Sequence, residues 1–175
     1  SGVTEIAQVK LVAKDESGNI AEALSSIFSV TDNTPPQVTL ENMNNVHIGD
    51  EIITYWNSND NSSLDYHRLF LSDNSGDTYI QLDSVAGADT SFTWFVPNLA
   101  TENALLSIIS TDIVGLHASD TTDLFSVLDG IKPNVTITEF DDEFSIPEFQ
   151  PITIEWNASD NIQLDSAKIW YSNNN

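Results

Sequence analysis

Short runs of hydrophobic residues alternate with polar ones along the chain, and turn-forming residues separate the runs. A period of two places the apolar side chains of a run on one face of a β-strand. The alternating pairs are Val38 and Leu40, Ile53 and Tyr55, and Phe125 and Val127. The pattern predicts strands at 37–41, 50–56, 65–72, 78–83, 90–96, 104–111 and 122–128. Strands at about this spacing of 8 to 14 residues, with turn signals between them, are typical of a β-sandwich.

The pattern also repeats after about 100 residues, a period that indicates repeated structural units. WNSNDNSSLD at 56–65 returns as WNASDNIQLD at 156–165. In the same way, the stretch 12–40 aligns with 109–137. Because Trp, Gly and Pro keep their places in the copies, we expect each unit to be a folded module.

Three units are predicted from these alignments. Residues 1–32 are the C-terminal strands of a first repeat, 33–129 are a complete repeat, and 130–175 are the N-terminal strands of a third. A small insertion in the third unit is placed in EFDDEFSIP, residues 139–147. The chain is therefore expected to be a segment of a longer tandem array.

Composition narrows the possible partners. The chain has 27 acidic residues against 5 Lys and Arg, a net charge of −22 and no Cys. Because so few Lys and Arg side chains cannot neutralise a nucleic-acid backbone, we expect no nucleic-acid partner. Disulfides and thiolate metal sites are excluded, and no apolar run approaches the roughly 18 residues of a membrane span, so no membrane insertion is expected.

Several motifs are similar to those of bacterial immunoglobulin-like or cadherin-like repeats in large extracellular surface proteins. They are WNASDN followed by LDSAKIWYSN, FTWFVPN, TD-x-x-G, and FSV-x-D-x-x-x-P. The resemblance implies an all-β fold of tandem immunoglobulin-like Greek-key sandwiches, outside a bacterial cell or on its surface. It also implies Ca²⁺ stabilisation and no enzymatic activity. Two departures are Leu116, where the first copy has Asn19, and DGIKP in place of DNTPP.

Greek-key order brings one linker and alternate turns to the same end of a sandwich. Oxygen-bearing side chains from distant positions should therefore meet where two units join. At the first junction the predicted ligands are Asp32, Asn33, Asp60, Asn61 and Asp112. At the second they are Asp129, Asp160 and Asn161. Glu5 and Glu102 are further candidates, each from the preceding unit.

Calcium suits such a set because it takes 6 to 8 oxygen ligands in flexible geometry. His47, His67 and His117 have no ligand spacing, which argues against zinc. The alternative is that these Asp and Asn residues only close solvated turns.

The leading functional hypothesis is a structural spacer of an adhesin-type protein, with junctions stiffened by Ca²⁺. Its partners would be adjacent repeats of the same or a neighbouring chain. No nucleophile motif or P-loop is present, and Asp141, Asp142 and Glu143 are interpreted as a solvated loop rather than a glycosidase pair. One alternative is a homopolymeric filament in which strands of one copy complete another. A second is a carbohydrate-binding module that uses Trp94, Trp170 or Tyr171. Otherwise Trp56 and Trp94 are predicted core residues, one from each sheet.

Overall fold

A computed structural model describes residues 3–138 and 145–172, and every regular element in them is a β-strand. The prediction of an all-β protein is confirmed. Most of the predicted insertion, including Asp141, Asp142 and Glu143, lies outside the described residues. The described part of the chain contains no helix long and apolar enough to cross a membrane.

Two sheets form the middle of the molecule. The first has three strands in the order β10-β7-β5, and the second has six, in the order β6-β13-β11-β8-β9 with β12 also paired to β11. Their bounds are β5 Gln37–Leu40, β6 Val46–His47, β7 Glu51–Asn59, β8 Leu64–Ser72, β9 Ile80–Ala86, β10 Ser91–Phe95, β11 Thr101–Asp112, β12 His117–Thr121 and β13 Phe125–Leu128.

One hydrophobic cluster contains side chains of both sheets, as in a β-sandwich. The three-stranded sheet contributes Leu40, Trp56 and Trp94. The six-stranded sheet contributes, among others, Leu69, Leu71, Leu106, Ile108, Phe125 and Val127. Burial of this apolar surface supplies the main favourable free energy of folding.

The remaining strands precede or follow this unit along the chain and form two-stranded sheets. They are β1 Thr4–Ala7 with β4 Phe28–Val30, β2 Lys10–Lys14 with β3 Ile20–Leu24, and β14 Asn134–Ile137 with β15 Trp156–Ser159. Their registers match those of the middle unit. Thr4 pairs with Val30 as Thr101 pairs with Val127.

The same match holds at the other end of the chain. Ile137 pairs with Trp156 as Leu40 pairs with Trp56. Aligned sequence positions are therefore also aligned hydrogen-bonding positions.

One expectation about the core was wrong. Trp56 and Trp94 are both buried, but they belong to one sheet because β10 pairs with β7, whereas β9 pairs with β8 in the other sheet. In β7 the side chains of Ile53 and Tyr55 are exposed, and Thr54 and Trp56 point inward. Thr54 is tolerated there because its Oγ1 accepts a hydrogen bond of 3.0 Å from Trp94 Nε1.

The predicted strand 122–128 corresponds only to β13, and β6 and β12 were not predicted. After β5 the chain crosses to the six-stranded sheet, where β6 pairs with β13 in parallel. The Asn42 amide fixes this crossing, since its Oδ1 accepts from the Asp123 backbone and its Nδ2 donates to the Asp123 carboxylate, both at 2.7 Å. A crossing held by such side-chain hydrogen bonds leaves no alternation of apolar residues in the sequence, so the hydrophobic pattern did not predict it.

Candidate metal centre

Asp112 ends β11 and lies in the tight turn before β12. Its Oδ1 accepts backbone N–H hydrogen bonds from Val114 at 2.9 Å and Leu116 at 2.8 Å. Gly115 has a φ of 93°, a left-handed conformation that glycine adopts without a Cβ penalty. The turn therefore holds the carboxylate by one oxygen, and the side chain of Asp112 is only 1% exposed.

Asp60 lies between β7 and β8, at the same end of the middle unit. Its Oδ2 accepts from the backbone N–H of Ser62 at 2.7 Å and from the Ser62 hydroxyl at 2.6 Å. This is an Asx turn, in which a short acidic side chain bonds to the backbone two residues further on. As in Asp112, one oxygen of the carboxylate closes its own loop.

Asp32 lies in the segment between β4 and β5 and is half-buried. Its Oδ1 accepts a backbone N–H hydrogen bond from Thr34 at 3.0 Å. That bond, followed by the side chain of Asn61, holds the pKa of Asp32 below its ordinary value. The carboxylate is therefore ionised at neutral pH.

The three carboxylates also lie close together. Asp32, Asp60 and Asp112 each offer a ligand oxygen within 4.8 Å of the others. Oδ2 of Asp32, Oδ1 of Asp60 and Oδ2 of Asp112 are all buried from solvent, and none accepts a hydrogen bond within the protein. A buried polar atom without a partner is costly, and like charges at this separation repel. We call these three residues the carboxylate triad.

A cation would remove both costs. The triad offers oxygen only, with no His or Cys in the group, so its donors suit a hard ion such as Ca²⁺ better than zinc or copper. Ca²⁺ accepts ligands at about 2.3 to 2.6 Å, and two oxygens bound to one ion at that distance can be up to about 5 Å apart. The separations in the triad fall within this range.

Asn61 and Asn33 were predicted beside the triad. Hydrogen bonds from the side chain of Asn61 and from the backbone of Asn33 both lower the pKa of Asp32. The Asn33 side chain is exposed. Glu5 and Glu102, the further candidates from the preceding units, lie exposed in β1 and β11 and are not part of the triad.

At the second junction the predicted residues show a related arrangement. Oδ1 of Asp129 accepts from the backbone N–H of Ile131 at 3.0 Å, and Oδ2 of Asp160 accepts from that of Ile162 at 3.1 Å. Nδ2 of Asn161 donates to Oδ1 of Asp129 at 3.3 Å. Oδ1 of Asp160 and Oδ1 of Asn161 are buried without a hydrogen-bond partner.

Asn98 completes this second arrangement and was not predicted. Its Nδ2 donates to the backbone carbonyl of Asn161 at 2.8 Å, and its Oδ1 accepts from Nδ2 of Asn161 at 2.9 Å. Because a carboxylate and a carbonyl only accept, these contacts fix both amide orientations. Asn98 ties the middle unit to the loop after β15. The FTWFVPN motif contains it, but nothing in that motif indicated a contact.

Strand β8 carries a fully buried histidine, His67. Its Nδ1 is 2.8 Å from the Ser110 hydroxyl, and its Nε2 is 3.2 Å from the Gly87 carbonyl. Burial lowers the pKa of His67, although the Gly87 carbonyl and the charge of Asp89 oppose this. The Trp56 ring packs edge-on against it at 5.3 Å. These partners give His67 a structural role in the middle unit.

The aromatic residues considered for sugar binding differ in exposure. Trp94 is buried and donates a hydrogen bond to Thr54, in agreement with its interpretation as a core residue. Trp170 and Tyr171 are exposed. No protein-family model matches the chain, and a search of curated proteins also gave no match.

Proposed function

We propose that this chain is a spacer segment of a repetitive extracellular or cell-surface protein, built from immunoglobulin-like repeats whose junctions are stiffened by Ca²⁺. The carboxylate triad carries this proposal. Each of its three side chains uses one oxygen to close its own loop and leaves the other buried and unpartnered, and the three carboxylates lie close together. Solvated turns would use the first oxygen in this way but would leave the second in contact with water.

The origin of the three residues explains the mechanical effect. Asp60 follows β7 and Asp112 ends β11, both in the middle unit, whereas Asp32 lies in the segment that joins this unit to the preceding strands. An ion bound by all three would fix that segment to the end of the middle unit. The matching strand registers support the view that the flanking strands belong to units of the same kind.

Thermal unfolding of the full chain in Ca²⁺ and in chelator tests the proposal. Binding to the folded state alone adds about 2.7 kcal/mol at a free ion concentration 100 times Kd, so the melting temperature should rise. Asp112→Asn should remove most of this rise. Asp15→Asn is the matched control, because Asp15 occupies the equivalent turn outside the triad. Equal melting temperatures with and without Ca²⁺ would refute the ion site.

Assembly of copies by strand addition is a second candidate function, favoured by one specific observation. The two sets of flanking strands correspond to opposite sheets of the middle unit: β1 to β4 match β11 to β13, and β14 with β15 matches β5 with β7. Both sets expose apolar side chains. Strand addition between copies would cover them. Sedimentation velocity over a range of concentrations tests this, and a monomer at all concentrations would exclude it.

A further inference from the structure

Within the described residues the turn that holds Asp112 occurs twice, and the two copies share a backbone geometry. In the second copy, Asp112 N donates to the Leu116 carbonyl at 3.0 Å and the Leu116 N–H donates to Asp112 Oδ1 at 2.8 Å. In the first copy, Asp15 and Asn19 make the same two bonds at 3.0 and 2.8 Å. The side chains of Leu116 and Asn19 therefore leave the backbone at equivalent places.

The two copies differ in what happens to the second carboxylate oxygen. Asn19 Nδ2 donates to Oδ2 of Asp15 at 2.7 Å, so both oxygens of Asp15 are used inside the turn. This side-chain hydrogen bond is the main reason why the pKa of Asp15 is lowered. Leucine has no donor, and Oδ2 of Asp112 is left without a partner although the residue is almost fully buried.

We propose that the residue at position 116 decides whether this turn can bind a cation. Leucine leaves Oδ2 of Asp112 open to the ion, whereas asparagine at the equivalent place closes the carboxylate by satisfying it within the turn. An ion would then have to displace a charge-assisted hydrogen bond before it could use that oxygen. This inference rests on the proposed Ca²⁺ site and explains why two nearly identical turns would differ in function.

The first test compares three variants of the full chain by calorimetric titration with Ca²⁺. Leu116→Asn should weaken binding by about tenfold to a hundredfold, the equivalent of one hydrogen bond to a charged group. Leu116→Ala removes the same side chain without adding a donor, so it should bind within about threefold of the original chain. Asp112→Asn should bind least. Unfolding in chelator checks that each variant is folded.

Equal affinities of Leu116→Asn and Leu116→Ala would overturn the role of position 116 but leave the ion site in place. A different result, in which Asp112→Asn binds Ca²⁺ as the original chain does, would overturn the proposed site itself.

A second test needs neither an ion nor a folded Leu116 variant. In Asn19→Leu, the Asp15 turn loses its side-chain donor, and the pKa of Asp15 should rise toward its ordinary value. Carboxyl-detected NMR titration measures this, with Asn19→Ala as a second replacement that also lacks the donor. An unchanged pKa of Asp15 in both variants would show that Asn19 does not close the carboxylate, and the inference would fail.

Discussion

The strands that precede the middle unit pair in the same way as their equivalents within it, but their apolar side chains are exposed whereas those of the middle unit are buried. Leu106 and Ile108 on β11 are 0% exposed. Their equivalents Val9 and Leu11 are 59% and 67% exposed. The residues are of the same kind and the hydrogen-bonding register is the same. Local sequence therefore accounts for the hairpin, while burial depends on whether an opposing sheet covers it.

The other end of the chain shows the same contrast for the three-stranded sheet. Trp56 is 4% exposed, and Trp156, in the same place on the paired strands, is 47% exposed. In the middle unit the six-stranded sheet covers this position. A β-sandwich is thus stabilised across its two sheets, because pairing within one sheet leaves its apolar face in water.

Truncation of equivalent side chains should give the largest difference between the two regions. Ile108→Ala is expected to cost about 2 to 5 kcal/mol of unfolding free energy, because it leaves a cavity in a packed core. Leu11→Ala should cost no more than about 0.5 kcal/mol, since that side chain is largely in water. Urea unfolding monitored by tryptophan fluorescence measures both. Similar losses in the two variants would mean that the hairpin face is also covered.

Removal of the buried Thr54 hydroxyl should lower the free energy of unfolding by a smaller amount. Thr54→Val keeps the shape but removes the acceptor for Trp94 Nε1. A buried donor left unsatisfied costs about 1 to 3 kcal/mol. Thr39→Val on the exposed face of β5 is the matched control and should change stability by no more than about 0.5 kcal/mol. Equal stabilities of these two variants would show that the Trp94 hydrogen bond contributes nothing.

The sequence predicted those strands in which apolar and polar residues alternate. It identified an all-β chain and most strands of the middle unit, because apolar alternation marks one buried face. It predicted the strand β7 but not which of its faces is buried, because apolar residues lie on both faces. It failed also on β6 and β12, which are held by backbone pairing and by side chains such as Asn42.

The candidate site was predictable only in part, for a similar reason. Turns that connect strands of a sandwich return to the same end, so the positions of Asp32, Asp60 and Asp112 followed from the strand order. Asn98 did not, because its contact with Asn161 depends on how two units meet. The sequence also did not predict that Oδ2 of Asp112 lacks a hydrogen-bond partner, because this depends on whether a neighbouring side chain can donate to it.

Acidification should lower the stability of the folded chain modestly, because His67 is buried. The pKa of His67 is lowered in the folded chain by burial, whereas the unfolded chain has a pKa of about 6.5. Below that pH the unfolded state binds more protons, so the free energy of unfolding should fall as pH decreases through 6.5 toward the folded pKa. Unfolding at pH 7.5 and 5.5 measures this. His67→Gln should reduce the dependence, and an unchanged dependence in this variant would contradict the assignment to His67.

The smallest expected effect on stability comes from an ion pair between β2 and β3 that has no equivalent in the middle unit. On the first hairpin, Lys10 Nζ lies 2.8 Å from Glu22 Oε2, with both side chains 53% exposed, and serines stand at the equivalent positions 107 and 119. An exposed pair of this kind is worth about 0 to 1 kcal/mol, because water screens the charges and ordering both side chains costs entropy.

A double-mutant cycle with Lys10→Ser and Glu22→Ser, read from amide exchange in β2 and β3, should therefore give a coupling energy below about 1 kcal/mol that declines in high salt. A larger coupling that persists in salt would mean that this pair is shielded from water. The hairpin face would then be covered after all, and the contrast with the middle unit would have to be reconsidered.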